Sequence, residues 1–212
     1  METNFKYIAS SRSTEELIER VENRQKYLPE TTEASVTELQ YRKHEFTDEE
    51  LKVIGEDIQA QRENASIVTS QLGFFNKEYK NVIIEDPDAP LLYSRIAIYS
   101  FSFLFGAPFG SIMMAMNLAK LGKSKESLWA ILFGIGFTTL QYIVISHINT
   151  GSTSSLQVFC GFIAAYCLDL FFWKNYIGYS TFYRKRPIWV PLIIALVFVS
   201  LILAAIILGP KQ

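Results

Sequence analysis

Few side chains in this 212-residue sequence are placed to do chemistry. Asp169 is an acid inside an otherwise apolar run, and an ionisable group at membrane depth points to a proton or cation relay. Trp173 and Lys174 follow within about a turn, so the structural alternative is a carboxylate satisfied near the interface by Lys174 or by lipid headgroups. Asn117, at the end of another apolar run, offers an amide that bridges helices or touches a substrate. Asp86-Pro87-Asp88 has the spacing of a metal-bridging acid pair, against which stands a solvated acidic linker. His44 and His147 lie far from other ligand types. Cys160 and Cys167 are seven residues apart, about 10.5 Å along a helix, which is too far for a disulfide and suits packing. HExxH, GxSxG, P-loop, GxGxxG and CxxC patterns do not occur. Asp169, Asn117, His147 and the tyrosines do not form a set of nucleophile, base and oxyanion donor, so no catalytic residue, metal or cofactor is expected.

The segments that must hold these residues differ sharply along the chain. Residues 1–92 hold 11 Lys and Arg against 19 Asp and Glu, a net −8, whereas residues 93–212 hold 9 against 2, a net +7. That split excludes one soluble globule and a basic nucleic-acid-binding domain. Crossing ~30 Å of hydrocarbon takes about 20 mostly apolar residues. Four segments qualify: about 96–118, 128–148, 154–173 and 188–208. The predicted fold is mainly α, a polytopic helical membrane domain over 93–212 with a small N-terminal helical soluble domain. A secretory leader is not expected, because the opening residues lack a basic stretch followed by an apolar one.

The soluble part divides into an acidic three-helix head, 1–64, and an acidic, Pro-containing linker, 65–92. Ser13 and Thr47 are each followed three residues later by Glu, as in a capping box. Behind them Leu17, Ile18 and Val21, and then Leu51, Ile54 and Ile58, fall on single helical faces. Pro29 opens a third helix, about 29–44, with Ala34, Val36 and Leu39 as its apolar contacts. The 34-residue offset of Leu17 and Leu51 invites a tetratricopeptide reading, but two weak copies without the Trp and Gly positions do not make a solenoid. So small a core should lean on a partner, and residues 13–60 are the expected partner surface. In the linker, Gly73-Phe74-Phe75 is a candidate dip into the membrane interface.

In the membrane half, Gly106, Pro108 and Gly110 break the first segment near its middle. Two readings stay open. The segment is a kinked span with a Gly106-Gly110 packing contact, or a helical hairpin that enters and leaves on one side. Charge bears on the choice. Lys120, Lys123 and Lys125 follow the first segment and Lys174, Arg184, Lys185 and Arg186 the third, so both loops belong in the cytosol. Four full spans would then put the acidic head outside, whereas a hairpin keeps it inside. The loop from Trp173 to Trp189 alternates aromatics with bases. Trp173, Lys174, Tyr176, Tyr179, Tyr183, Arg184, Lys185, Arg186 and Trp189 are expected as anchors at an anionic leaflet. Stacking on RNA suits the same composition, but the flanking apolar segments favour lipid over nucleic acid.

Glu16-Leu17, Asn23-Arg24, Tyr27-Leu28-Pro29-Glu30 and Glu38-Leu39, with Tyr93-Ser94, Phe101 to Gly110, Asn117-Leu118 and Phe172-Trp173-Lys174, resemble small uncharacterised bacterial multi-pass inner-membrane proteins with a short N-terminal cytosolic helical module. The resemblance implies a cytosolic head and a bacterial inner-membrane location, and it implies no activity. The leading functional expectation is a non-enzymatic membrane anchor, scaffold or regulatory subunit whose head binds a protein partner. The alternative is a small oligomeric transporter or channel component using the broken first segment and Asp169. A lipid-modifying enzyme of unfamiliar chemistry stands third.

Overall fold

The computed structural model describes residues 2–67, 75, 77–147 and 153–208. The chain is mainly helical and forms two compact units: residues 1–69, 76–90 and 179–184 in one, 70–75, 91–178 and 185–212 in the other.

In the first unit both capping boxes form. Ser13 Oγ accepts from the Glu16 N–H at 3.2 Å and starts α2 (Thr14–Glu22), and Thr47 Oγ1 accepts from the Glu50 N–H at 3.2 Å and starts α4 (Asp48–Ser66). Each Glu returns a bond to its cap residue's N–H, so two otherwise unpaired donors are satisfied at each helix start. Pro29 opens α3 (Pro29–Tyr41), where its missing N–H costs nothing. Lys43, at φ 64°, turns the chain out of α3, and the His44 N–H bonds back to Leu39 O at 2.9 Å. Leu17, Val21, Leu39, Ile54 and Ile58 meet in the core on the faces their spacing predicts.

A further helix, α1 (Glu2–Ser10), extends the expected cluster of three and contributes buried Ala9 to the same core. The acidic stretch is not an open linker either. Asp86 is fully buried, accepts from the Leu28 N–H at 2.9 Å and from its own neighbour's Asp88 N–H at 2.9 Å. Asp88 pairs with Arg20 at 3.2 Å. Leu28, Ile84 and Ala89 form a second small core, and in a parallel bridge between Ile83 and Tyr183 the Ile84 N–H donates to Tyr183 O and the Tyr183 N–H to Val82 O. The Asp-Pro-Asp pattern therefore does structural work in place of the solvated or metal-bridging roles it suggested.

In the second unit the first apolar segment turns back on itself. It consists of α5 (Arg95–Phe105) and α6 (Ala107–Lys120), joined by Gly106 at φ +88°. That conformation suits glycine, and Pro108 falls in the first turn of α6, where proline is tolerated. Gly110 lies against Ser102, with a built Cβ only 3.3 Å from Ile98 O, a closeness that a merely kinked helix cannot bring about across twelve residues. The kinked-span reading gives way to the hairpin. At 1.5 Å per residue its arms are about 16 and 21 Å long, short of the ~30 Å a span needs.

The remaining helices are α7 (Ser124–His147), α8 (Thr153–Leu168), which runs on as a π-helix over Asp169–Ile177, and α9 (Trp189–Leu208). Among the described residues two helices are long and apolar enough to cross a membrane by length and composition, Ser124–His147 and Val158–Ile177. Of the four spanning segments expected, two are thus supported among the described residues, and Arg95–Phe105 and Trp189–Leu201 are shorter apolar helices. Gly161 of α8 abuts α5 so closely that a Cβ there would sit 2.6 Å from Ser102 O. Gly73, Phe74 and residues 148–152 lie outside the described residues.

Candidate functional site

Asp169 closes a buried polar cluster. Arg95 Nε donates to one carboxylate oxygen at 2.9 Å and Arg95 Nη2 to the other at 2.5 Å, while the Tyr99 hydroxyl donates to the second at 3.1 Å. Arg95 and Asp169 are both about 2–3% exposed. The sequence suggested Lys174 or headgroups as the partner of Asp169. The partner is Arg95 instead, and Lys174 is exposed. Ser94 caps α5 and so aims Arg95 and Tyr99, one turn apart, towards the π-helical turn that carries Asp169. A forked guanidinium on a carboxylate is the geometry of a closed ion pair.

Asn117 of α6 bonds to the backbone of Tyr93, just ahead of α5. Its Oδ1 accepts from the Tyr93 N–H and its Nδ2 donates to Tyr93 O, both at 2.8 Å, joining the two ends of the hairpin. Arg186 stacks 4.7 Å over the Tyr93 ring, and its N–H donates to Leu92 O at 2.7 Å.

The expected interfacial anchors separate into two groups. Trp173 and Tyr183 are buried. Lys174, Tyr176, Lys185 and Trp189 are exposed, while Tyr179, Arg184 and Arg186 are half-buried. Lys123 donates to Tyr176 O and lies 6.0 Å over the Tyr176 ring. Among the described residues no cluster of three metal-ligating side chains occurs. Cys160 and Cys167 are free thiols.

The first unit carries a groove of about 450 Å³ between α2, the chain leaving α3, and the start of α4. Its floor is apolar, made by Ile18, Val21, Leu39, Phe46, Val53 and Ile54. Val53 is 45% exposed although its neighbour Ile54 is in the core. Glu22, Glu45, Glu49 and Glu50 stand around it. Hydrogen bonds from the backbone and hydroxyl of Thr47 hold the Glu50 carboxyl below the usual carboxylate range. Arg24, the one Lys or Arg in the lining, is engaged by Asp57.

Sequence reading missed Arg95 and Tyr99 as partners of Asp169, although a base opening an apolar run with a lone acid in another was a usable signal. It placed a partner surface on residues 13–60 without locating the groove. Comparison with protein-family profiles, curated proteins and solved structures found no match for this chain.

Proposed function

We propose that this chain is a non-enzymatic membrane-anchored binding module, in which the second unit sits in a bacterial inner membrane and the first unit docks a protein partner in the cytosol. The groove of the first unit carries the reading, because exposed Val53 beside partly buried Ile18 and Phe46 gives a small folded head an apolar surface that a partner can cover. The outward apolar side chains of α7, among them Trp129, Ile135 and Leu140, support a lipid environment for the second unit. With the hairpin entering and leaving on one side, the head, Lys120, Lys123 and Lys125 share the cytosolic face, in keeping with the charge rule.

A photo-crosslinking residue replacing Val53 in the full chain, in native membranes, tests the reading. Adducts to a discrete protein at position 53 and none at the exposed control position Lys52 are expected. Equal labelling at both positions would sink it. Sidedness is tested with single cysteines at Ser13 and Ser124, with Cys160 and Cys167 replaced. Both should be protected from an impermeant thiol reagent in intact cells.

The hairpin also favours a second reading, a small oligomeric transporter, because broken helices at membrane depth build substrate sites. Loss of flux on Asp169→Asn in a still-folded protein would support it. The closed pairing of Asp169 with Arg95 and Tyr99 weighs towards a structural role.

A further inference from the structure

The chemistry of the groove narrows its occupant. The accessible apolar lining is Val53 with the partly buried Ile18 and Phe46, above the buried Val21, Leu39 and Ile54, and His44 lies edge-on to Phe46 at 4.9 Å. An occupant must therefore present an apolar face of similar width, which a helix does with residues at i, i+3, i+4 and i+7. The walls set its sign. Four glutamates line the groove and its one guanidinium is already neutralised by Asp57. The unit as a whole holds 19 acids against 12 bases. A neutral or acidic helix would bring its flanking residues against uncompensated carboxylates, whereas Lys or Arg flanking the apolar face would pair with them.

We infer that the groove between α2 and α4 docks a basic amphipathic helix of a partner protein, its apolar face on Val53 and the partly buried Ile18 and Phe46 and its cationic flanks against Glu22, Glu49 and Glu50. The inference rests on the partner-binding reading above and adds the chemistry of the partner. A helix of this kind gains on two counts: apolar area leaves water at the floor, and like-charge competitors are excluded at the walls. The start of α4 places Asp48, Glu49 and Glu50 in one turn, so the walls present their charge from a rigid, capped element.

The test uses the full chain in neutral detergent and two fluorescent model peptides of one leucine pattern, one with lysines and one with glutamates at the polar positions. The lysine peptide is expected to bind, with affinity falling as salt rises. Val53→Asp, at a half-exposed position, should weaken it at least about tenfold, and Glu49→Lys with Glu22→Lys about three- to tenfold. Equal or tighter binding of the glutamate peptide would overturn the basic chemistry. Binding of the lysine peptide unchanged by Val53→Asp, or no binding of either peptide, would overturn the groove as its dock. Partner capture at position 53 in membranes reads out separately, so the binding-module reading can stand where this inference falls.

Discussion

Asn117 and Tyr93, twenty-four residues apart, are joined by two reciprocal hydrogen bonds of 2.8 Å, side-chain amide to backbone N–H and C=O. This pairing holds the two ends of the hairpin together. Asn117→Leu leaves both backbone groups of Tyr93 buried without a partner, at a cost of about 2–4 kcal/mol. Thermal unfolding of the purified protein in detergent should show a Tm lower by several degrees. An unchanged Tm would mean that the clamp does not hold the hairpin closed.

The Arg95–Asp169 pair makes an asymmetric prediction. Asp169→Asn alone removes the counter-charge of a buried guanidinium and leaves one acceptor oxygen where two served Arg95 and Tyr99, for a loss of about 3–5 kcal/mol. Replacing both partners, Arg95→Met with Asp169→Leu, removes the charge and its counter-charge together and should recover most of that loss. A double-mutant cycle on unfolding free energy checks it. Additive losses would show that the two residues are not one closed unit.

Close helix contact is tested at glycine. Gly161→Ala puts a Cβ 2.6 Å from the backbone oxygen of Ser102 and 3.3 Å from Phe103 Cα, so α5 and α8 must separate. A destabilisation of about 1–3 kcal/mol is expected. Gly136→Ala meets nothing within 4 Å and should be neutral or stabilise α7 by up to about 1 kcal/mol. Equal Tm values for the two variants would contradict the packing described.

Burial, and then the 2.6 Å hydrogen bond that Tyr27 donates to Glu19, push the Tyr27 phenol from 10.0 up to about 12. Only the protonated phenol makes that bond. The stability it contributes is therefore fully present below pH 10 and is lost as pH rises from about 10 to about 12. Ultraviolet titration should show one late-ionising phenol fewer in Tyr27→Phe than in the wild type. The stability gap between wild type and Tyr27→Phe should close over the same interval, and a gap independent of pH would refute the pairing.

Local rules made much of the head legible. Ser13 and Thr47 announce helix starts because a cap is satisfied within four residues, and Leu17, Val21, Ile54 and Ile58 share faces because 3.6-residue periodicity is local. The helix α1 was missed because it carries no capping signature, although Phe5, Ile8 and Ala9 fall on one face at i, i+3 and i+4. Residues 82–90 read as a linker because their acids look solvated, and only the distant Leu28 N–H and Arg20 show what Asp86 and Asp88 are for.

By itself, then, the sequence determined the charge split of the two halves, the apolar segments and the break at Gly106, all properties of contiguous residues. Tertiary structure alone decided that the break is a hairpin, that Asp169 answers to Arg95, that Trp173 and Tyr183 are core rings, and that α2 and α4 leave a groove. Each of these is a pairing between residues far apart in the chain. Composition and spacing say which partners a buried charge or an apolar face requires, and only packing chooses among the partners on offer.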